Sequence, residues 1–223
     1  MDAELFKAIT DAIDSRRQVL ELFRESVHHF FERHPRLITG PLPTVHSVRS
    51  RTKGLNSLED KLDRKLQDGE SINAGNIFST ITDLVGVRVL HVYQEQVGDI
   101  HAAILAHVDA GEWVFHEGPR AYTWDPEARD YMESLGLSVE VKDSFYTSVH
   151  YVVRPRPDAA AACEIQVRTL FEEAWGEIDH AINYPHPTTS LANGEQLRVL
   201  ARLVSTGSRL ATSIFKVHDS ESN

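Results

Sequence analysis

Cys163-Glu164-Ile165-Gln166-Val167-Arg168-Thr169 alternates apolar and polar side chains along its length. On a strand, successive side chains point to opposite faces, so Ile165 and Val167 share one face and Glu164, Gln166 and Arg168 the other. The apolar pair calls for a core. A face carrying a carboxylate and a guanidinium is either solvated or the wall of a site, and this strand alone leaves the two readings level. The next run outward, Tyr146–Val153, repeats the pattern. There Tyr146, Ser148 and His150 share one face, and Thr147, Val149 and Tyr151 the other. Two such strands suggest one wall, on which Tyr146 can stack against a base while Gln166 or His150 bonds its edge.

Further outward lies a basic stretch with Arg49, Arg51, Lys53, Lys61, Arg64 and Lys65. Arg49, Arg51 and Lys53 fall on one face of a polar strand, Val45–Lys53. A helix is expected over Leu58–Leu66, with Asn56 or Ser57 as N-cap, Lys61 one turn on and Gly69 as the stop. A helix N-terminus flanked by cationic groups can cradle a triphosphate. The competing reading is a solvated basic surface with an ordinary serine cap. Asp83 opens the β-prone run Val85–Val92, and Arg88 lies within it. Phosphate chemistry generally uses Mg²⁺ held by one or two carboxylates, for which Asp83 and Glu164 are the candidates. Strict alternation sends Asp83 and Arg88 to opposite faces, and a plain turn carboxylate remains open for Asp83.

The chain has 223 residues, 41% hydrophobic and 25% charged, which fits a soluble globular domain with or without helical extensions. No apolar run reaches the roughly 20 residues of a membrane span. The acidic start Met1-Asp2-Ala3-Glu4 does not read as a signal peptide, and Cys163 as sole cysteine excludes an internal disulfide and agrees with a reducing cytoplasm. A net charge of −10 argues against coating nucleic acid by bulk attraction but leaves room for a local phosphate site. Helices are expected over 3–33, ended by Pro35, then over Gln94–Val108, Thr169–Ile182 and Glu195–Val217. Strands are expected at Glu112–Phe115 and Leu137–Lys142, with 116–136 irregular apart from one short helix. Leu170, Ala174, Ile178 and Ile182, with Phe171 and Trp175, read as a core stripe. His28, Glu32 and His34 read as helix decoration, and the Glu177/His180 pair as packing or substrate contact. The order of elements suggests a mixed sheet with helices packed on it and helical arms at both ends, in the α/β (α+β) class.

Five segments in order carry a resemblance. They are Arg51-Thr52-Lys53-Gly54-Leu55-Asn56-Ser57-Leu58-Glu59-Asp60-Lys61, Asp83-Leu84-Val85-Gly86-Val87-Arg88, Tyr146-Thr147-Ser148-Val149-His150, Glu164-Ile165-Gln166-Val167-Arg168-Thr169 and Trp175-Gly176-Glu177-Ile178-Asp179-His180-x-x-Asn183-Tyr184. Together they resemble the synthetase domain of the RelA/SpoT family, and most of all its single-domain members, the small alarmone synthetases. The resemblance implies a nucleotidyltransferase-like mixed sheet and transfer of the β,γ-pyrophosphate of ATP to the ribose 3′-hydroxyl of GDP or GTP, releasing AMP. It implies that Arg51, Lys53, Ser57, Lys61 and Arg88 hold ATP and that Asp83 binds Mg²⁺. Glu164 would be the second metal ligand, the base for the 3′-hydroxyl, or both. Tyr146 would stack on guanine, with His150, Gln166, Arg168 and Asn183 lining the acceptor site.

Two departures stand out: Phe145 where the family usually has glycine, and Pro185 where it commonly has lysine. They bear on the acceptor, which could instead be an adenosine nucleotide or the 3′ end of tRNA, although the chain's acidity weighs against tRNA. A degenerate nucleotide-binding sensor is the non-enzyme alternative, against which Asp83, Tyr146 and Glu164 argue. His218-Asp219 is unaccompanied by a metal-ligand set, and no hydrolase domain is recognised, so synthesis without hydrolysis is expected. The implied division is a helical extension over 1–36, the synthetase domain over 37–186, and a helix and tail over 187–223. A cytoplasmic homo-oligomer, with a tetramer in view, completes the expectation.

Overall fold

A computed structural model describes residues 2–184 and 186–221. Its centre is a six-stranded mixed sheet in the order β1-β2-β6-β5-β3-β4. The strands are β1 (Ser47–Thr52), β2 (Val85–His91), β3 (Val114–Thr123), β4 (Ser138–Val141), β5 (Ser148–Arg154) and β6 (Cys163–Thr169). β2 and β6 run parallel, and β1 and β5 flank them antiparallel. Alternation sorts the faces as expected. Val85, Val87 and Val89 of β2 join Cys163, Ile165 and Val167 of β6 in the main hydrophobic core.

That core is closed by helices from both sides of the strand β2 in sequence. α2 (Arg17–Arg33) lies against β1, β2 and β6 and buries Leu20, Phe23, Val27 and Phe31. α6 (Gln96–Asp109) adds Val97, Ile100 and Ile104. The expected single helix over 3–33 is in fact two, because α1 (Ala3–Asp14) stops before α2 begins. At the break the Ser15 hydroxyl donates to the Ala12 carbonyl at 2.7 Å, a local bond that competes with continuing the helix. The apolar period runs across the break unchanged, which is why the sequence reads as continuous. Pro35 ends α2 and also opens a short turn, α3 (Pro35–Ile38), at the position where a missing N–H costs nothing.

Two other expectations are corrected. The helix expected over Leu58–Leu66 is α4 (Leu55–Gln67), with Gly54 as its N-cap, so Ser57 sits inside the first turn and makes no capping bond. Gly69, at φ +86°, does end it, in a conformation glycine adopts without a Cβ penalty. β3 is longer than Glu112–Phe115, because register shifts between Phe115 and Glu117 and between Glu117 and Arg120 carry the strand past Gly118-Pro119. A short helix, α5 (Ile77–Thr80), was not anticipated, whereas the one short helix expected within 116–136 is α7 (Pro126–Ser134), capped by the Asp125 carboxylate.

The face of β2 and β6 opposite α2 is covered by α8 (Leu170–Asn183), and α9 (Leu191–Glu221) packs on α8. Thr169 and Glu172 form a reciprocal capping box that starts α8 immediately at the end of β6. The stripe expected as core on α8 is not: Trp175 is buried, but Phe171 and Ile178 are exposed. α8 turns its Glu173–Gly176–Glu177–His180 edge to the sheet instead, because the strands beneath present arginines. No described helix is long and apolar enough to cross a membrane.

Candidate functional site

The register of β1, β2, β6 and β5 stacks the polar residues into two rungs on one face. Arg51 stands opposite Gly86, and Gly86 opposite Glu164. Arg49 stands opposite Arg88, Arg88 opposite Gln166, and Gln166 opposite His150. Gly86 leaves the floor between Arg51 and Glu164 without a side chain; a Cβ there would sit 3.5 Å from the Glu164 carbonyl oxygen. Over these rungs and under α8 lies a cavity of about 720 Å³.

Of the twelve residues singled out in the sequence, Arg51, Asp83, Arg88, Tyr146, Glu164, Gln166, Arg168 and Asn183 line this cavity. Asp83 and Arg88 both reach it, against the alternation argument. Asp83 lies in the turn before β2, so the strand's period does not govern it. Lys53 and Lys61 stand behind Asp83, their ammonium groups 2.8 Å from its two carboxylate oxygens. His150 stands behind Glu164, with Nδ1 3.3 Å from the carboxylate and Nε2 2.9 Å from the Tyr146 hydroxyl. Ser57 is not among the lining residues.

The electrostatics of the two cavity carboxylates are alike. Burial pushes Asp83 up, but Lys61 and Lys53 more than offset it and hold the carboxyl below its ordinary value. Burial likewise pushes Glu164 up; His150 and the Gln166 amide, which donates at 2.6 Å, outweigh both that and the negative charge of Asp83. Both groups are therefore ionised at neutral pH. Burial raises the Tyr146 hydroxyl, which stays protonated, and a His150 protonated on Nδ1 can accept from it and donate to Glu164.

The cationic side of the cavity has an organiser that the sequence reading missed. Glu173, buried on α8, lies 2.7 Å from Arg88, 3.1 Å from Arg168 and 3.6 Å from Arg49. Glu177, one turn on, takes Arg88 as well at 3.0 Å. A capped helix leaving β6 is legible in the sequence, but the strand arginines that Glu173 serves are distant in the chain. Gly176, Glu177 and His180 also line the cavity, so that pair belongs to the site wall, with the His180 ring stacked on Tyr184 at 4.5 Å. Tyr184 closes the rim by donating to Asp60 at 2.7 Å. Asn183 is held by Asp179, and its carbonyl oxygen accepts from the Thr188 N–H. Pro185 lies outside the described residues.

Asp83 and Glu164 suit a hard divalent cation: two ionised carboxylates that feel one another's charge and face one cavity. Among the described residues, no group of three or more His, Cys, Asp or Glu could hold a metal ion unaided. An ion here would thus complete its shell with phosphate oxygens and water.

The family model for the region found in RelA / SpoT proteins matches residues 50–189, which takes in both rungs apart from Arg49, together with Asp83, Tyr146 and α8. The chain belongs to the RelA/SpoT family. Among RelA/SpoT relatives, GTP pyrophosphokinase YwaC of Bacillus subtilis (strain 168) is 25% identical over 180 residues, covering 81% of this chain and 72% of that one. Small alarmone synthetase 1 from Bacillus subtilis has the same fold, at a TM-score of 0.68 and 17% identity over 93% of this chain and 96% of that one. Its complex with the product pppGpp gives 0.66 and 20% over 92% and 94%. A GTP pyrophosphokinase family protein from Streptococcus pneumoniae gives 0.68 and 18% over 99% and 97%. This RelA/SpoT chain therefore carries the mixed sheet expected of it, with the five segments gathered around one cavity.

Proposed function

We propose that the chain transfers the β,γ-pyrophosphate of ATP to the ribose 3′-hydroxyl of GDP or GTP. The observation that carries this reading is Asp83 and Glu164, both ionised, facing a single cavity whose other walls hold Arg49, Arg51, Arg88 and Arg168. The pppGpp-bound relative of the same fold supports it. The 3′-oxygen attacks the β-phosphorus, the bond from that phosphorus to the bridging oxygen on the α side breaks, and AMP leaves with that oxygen. Glu164 accepts the hydroxyl proton, and the hydrogen bond from His150 keeps its carboxylate aimed at the cavity. Mg²⁺, held by Asp83 with Glu164, would neutralise charge on the phosphates. The arginines bind and align the phosphate chain, and the tyrosine ring at 146 stacks on the acceptor base with Gln166 and Asn183 at its edge. Lys53 and Lys61 keep Asp83 in place behind the ATP side, which Arg51 and Arg88 line; Ser57, outside the cavity lining, takes no part in this reading.

To the same reading belong the division at 1–36, 37–186 and 187–223, synthesis without hydrolysis, a cytoplasmic location and assembly into a homo-oligomer. Assembly is supported by the exposed apolar row Val199, Leu203, Leu210, Ile214 and Val217 on α9.

The test is incubation with ATP labelled in its β,γ-phosphates, Mg²⁺, and GDP, GTP, ATP or deacylated tRNA in separate tubes. Label should pass to GDP or GTP, and Glu164→Gln should slow transfer by about a thousandfold with ATP binding kept. Transfer to tRNA alone or to ATP alone would replace the acceptor. No transfer to any of them would remove the enzyme reading.

A further inference from the structure

Among the described residues, Phe145 is the one non-glycine residue with a positive φ, at +62°. A bulky L-residue is disfavoured there because its Cβ crowds the backbone, and such an outlier persists only where its surroundings fix it. Two contacts fix this one. The Phe145 ring packs on Trp124 at 5.0 Å, and the pair lines a small second cavity with Trp175 of α8 and Ala201 and Val204 of α9. Two residues on, the buried Thr147 hydroxyl bonds that of Thr123 at 3.0 Å, beside Trp124. The chain is thus pinned on both sides of Tyr146, whose ring lines the nucleotide cavity 5.7 Å from the Arg168 guanidinium.

We propose that Phe145 is a positioning residue for the acceptor base: its half-buried ring, packed on Trp124, holds the turn in the left-handed conformation that aims Tyr146 into the cavity. This rests on the pyrophosphate-transfer reading, in which Tyr146 stacks on that base. The geometry separates anchoring from backbone tolerance. Glycine takes φ +62° freely, so Phe145→Gly relaxes the backbone and removes only the anchor. Phe145→Tyr keeps the ring.

The experiment varies both substrates in steady state for wild type, Phe145→Gly and Phe145→Tyr, with Tm measured alongside. Phe145→Gly should raise the KM for GDP about tenfold, equivalent to about 1.4 kcal/mol, and leave the KM for ATP within about twofold. Phe145→Tyr should restore the wild-type value. An unchanged KM for GDP, an equal rise for both substrates, or no restoration by tyrosine would overturn the inference. Ring signals of ¹³C-labelled tyrosine, with Tyr146 assigned through Tyr146→Phe, read the positioning apart from turnover. Phe145→Gly should shift and broaden the Tyr146 signal, and an unmoved signal would also overturn it. Wild-type protein that transfers to neither GDP nor GTP sinks the functional reading, while the tyrosine signals still decide the role of Phe145.

Discussion

Two carboxylates in this molecule gather cations, and they do so in opposite orientations. Asp83 faces the cavity, with Lys53 and Lys61 behind it. Glu173 stands behind, and Arg49, Arg88 and Arg168 face the cavity in front of it. The choice of cation follows the placement. Lysine offers a compact charge suited to bracing a carboxylate from the rear, whereas arginine presents a planar fork to phosphate oxygens. The two clusters differ in what they turn to the cavity: one presents negative charge, the other positive charge, and in the proposed reaction these meet a metal and the phosphates. The arginines gathered in this partly buried wall repel one another, and Glu173 offsets that repulsion from behind.

This contrast predicts graded effects. The largest is on chemistry: Asp83→Asn should lower kcat about a thousandfold with ATP binding largely kept, as read by rapid-quench transfer and by equilibrium binding of a non-reacting ATP analogue. Loss of ATP binding with a normal kcat would reverse the front-and-rear assignment. Glu173→Gln should act on the fold first. Its side chain is 8% exposed and that of Arg168 6%, so breaking this group should cost about 3 kcal/mol. In a thermal melt that is a Tm lower by about 6–12 °C. An unchanged Tm would mean that the arginines need no carboxylate behind them.

The smallest effect concerns the rear lysines. Lys61 is 27% exposed, so Lys61→Met should cost only about 1 kcal/mol at neutral pH. The sign with pH follows from Asp83, whose folded value lies below the ordinary 3.8. The pair's contribution is complete above 3.8 and is lost as pH falls through the folded value, so wild type and variant should converge in acid. Curves that stay parallel below that pH would show that Lys61 acts by packing.

Much of this arrangement is legible in the sequence where a local rule applies. Alternation in Cys163–Thr169 separates core from site, a helix is expected to follow directly from Thr169, and Gly69 ends α4. Where the rule is not local, the reading fails. Ser57 looks like a cap, but the helix begins earlier at Gly54. The stripe on α8 looks like core, but ion pairs with arginines from β1, β2 and β6 rotate Glu173 and Glu177 inward. Glu173 itself has no sequence signature, since one more acid on an amphipathic helix looks like surface. The continuation of β3 past Pro119 needs bulges that only pairing with β5 specifies.

The parallel pairing of β2 with β6 has a consequence for how the chain comes to life on the ribosome. Glu164 meets Gly86 only after the helices and strands between them have been made, so the cavity floor joins the first half of the polypeptide to the second. Closing so long a loop is slow and entropically opposed until the surrounding sheet repays it. A nascent chain arrested before Cys163, or a fragment clipped between β2 and β6, would hold Asp83 and the basic stretch yet lack β6 beside them. The cavity is therefore tied to synthesis through β6, and a copy that stops short of it would lack the wall that carries Glu164, Gln166 and Arg168.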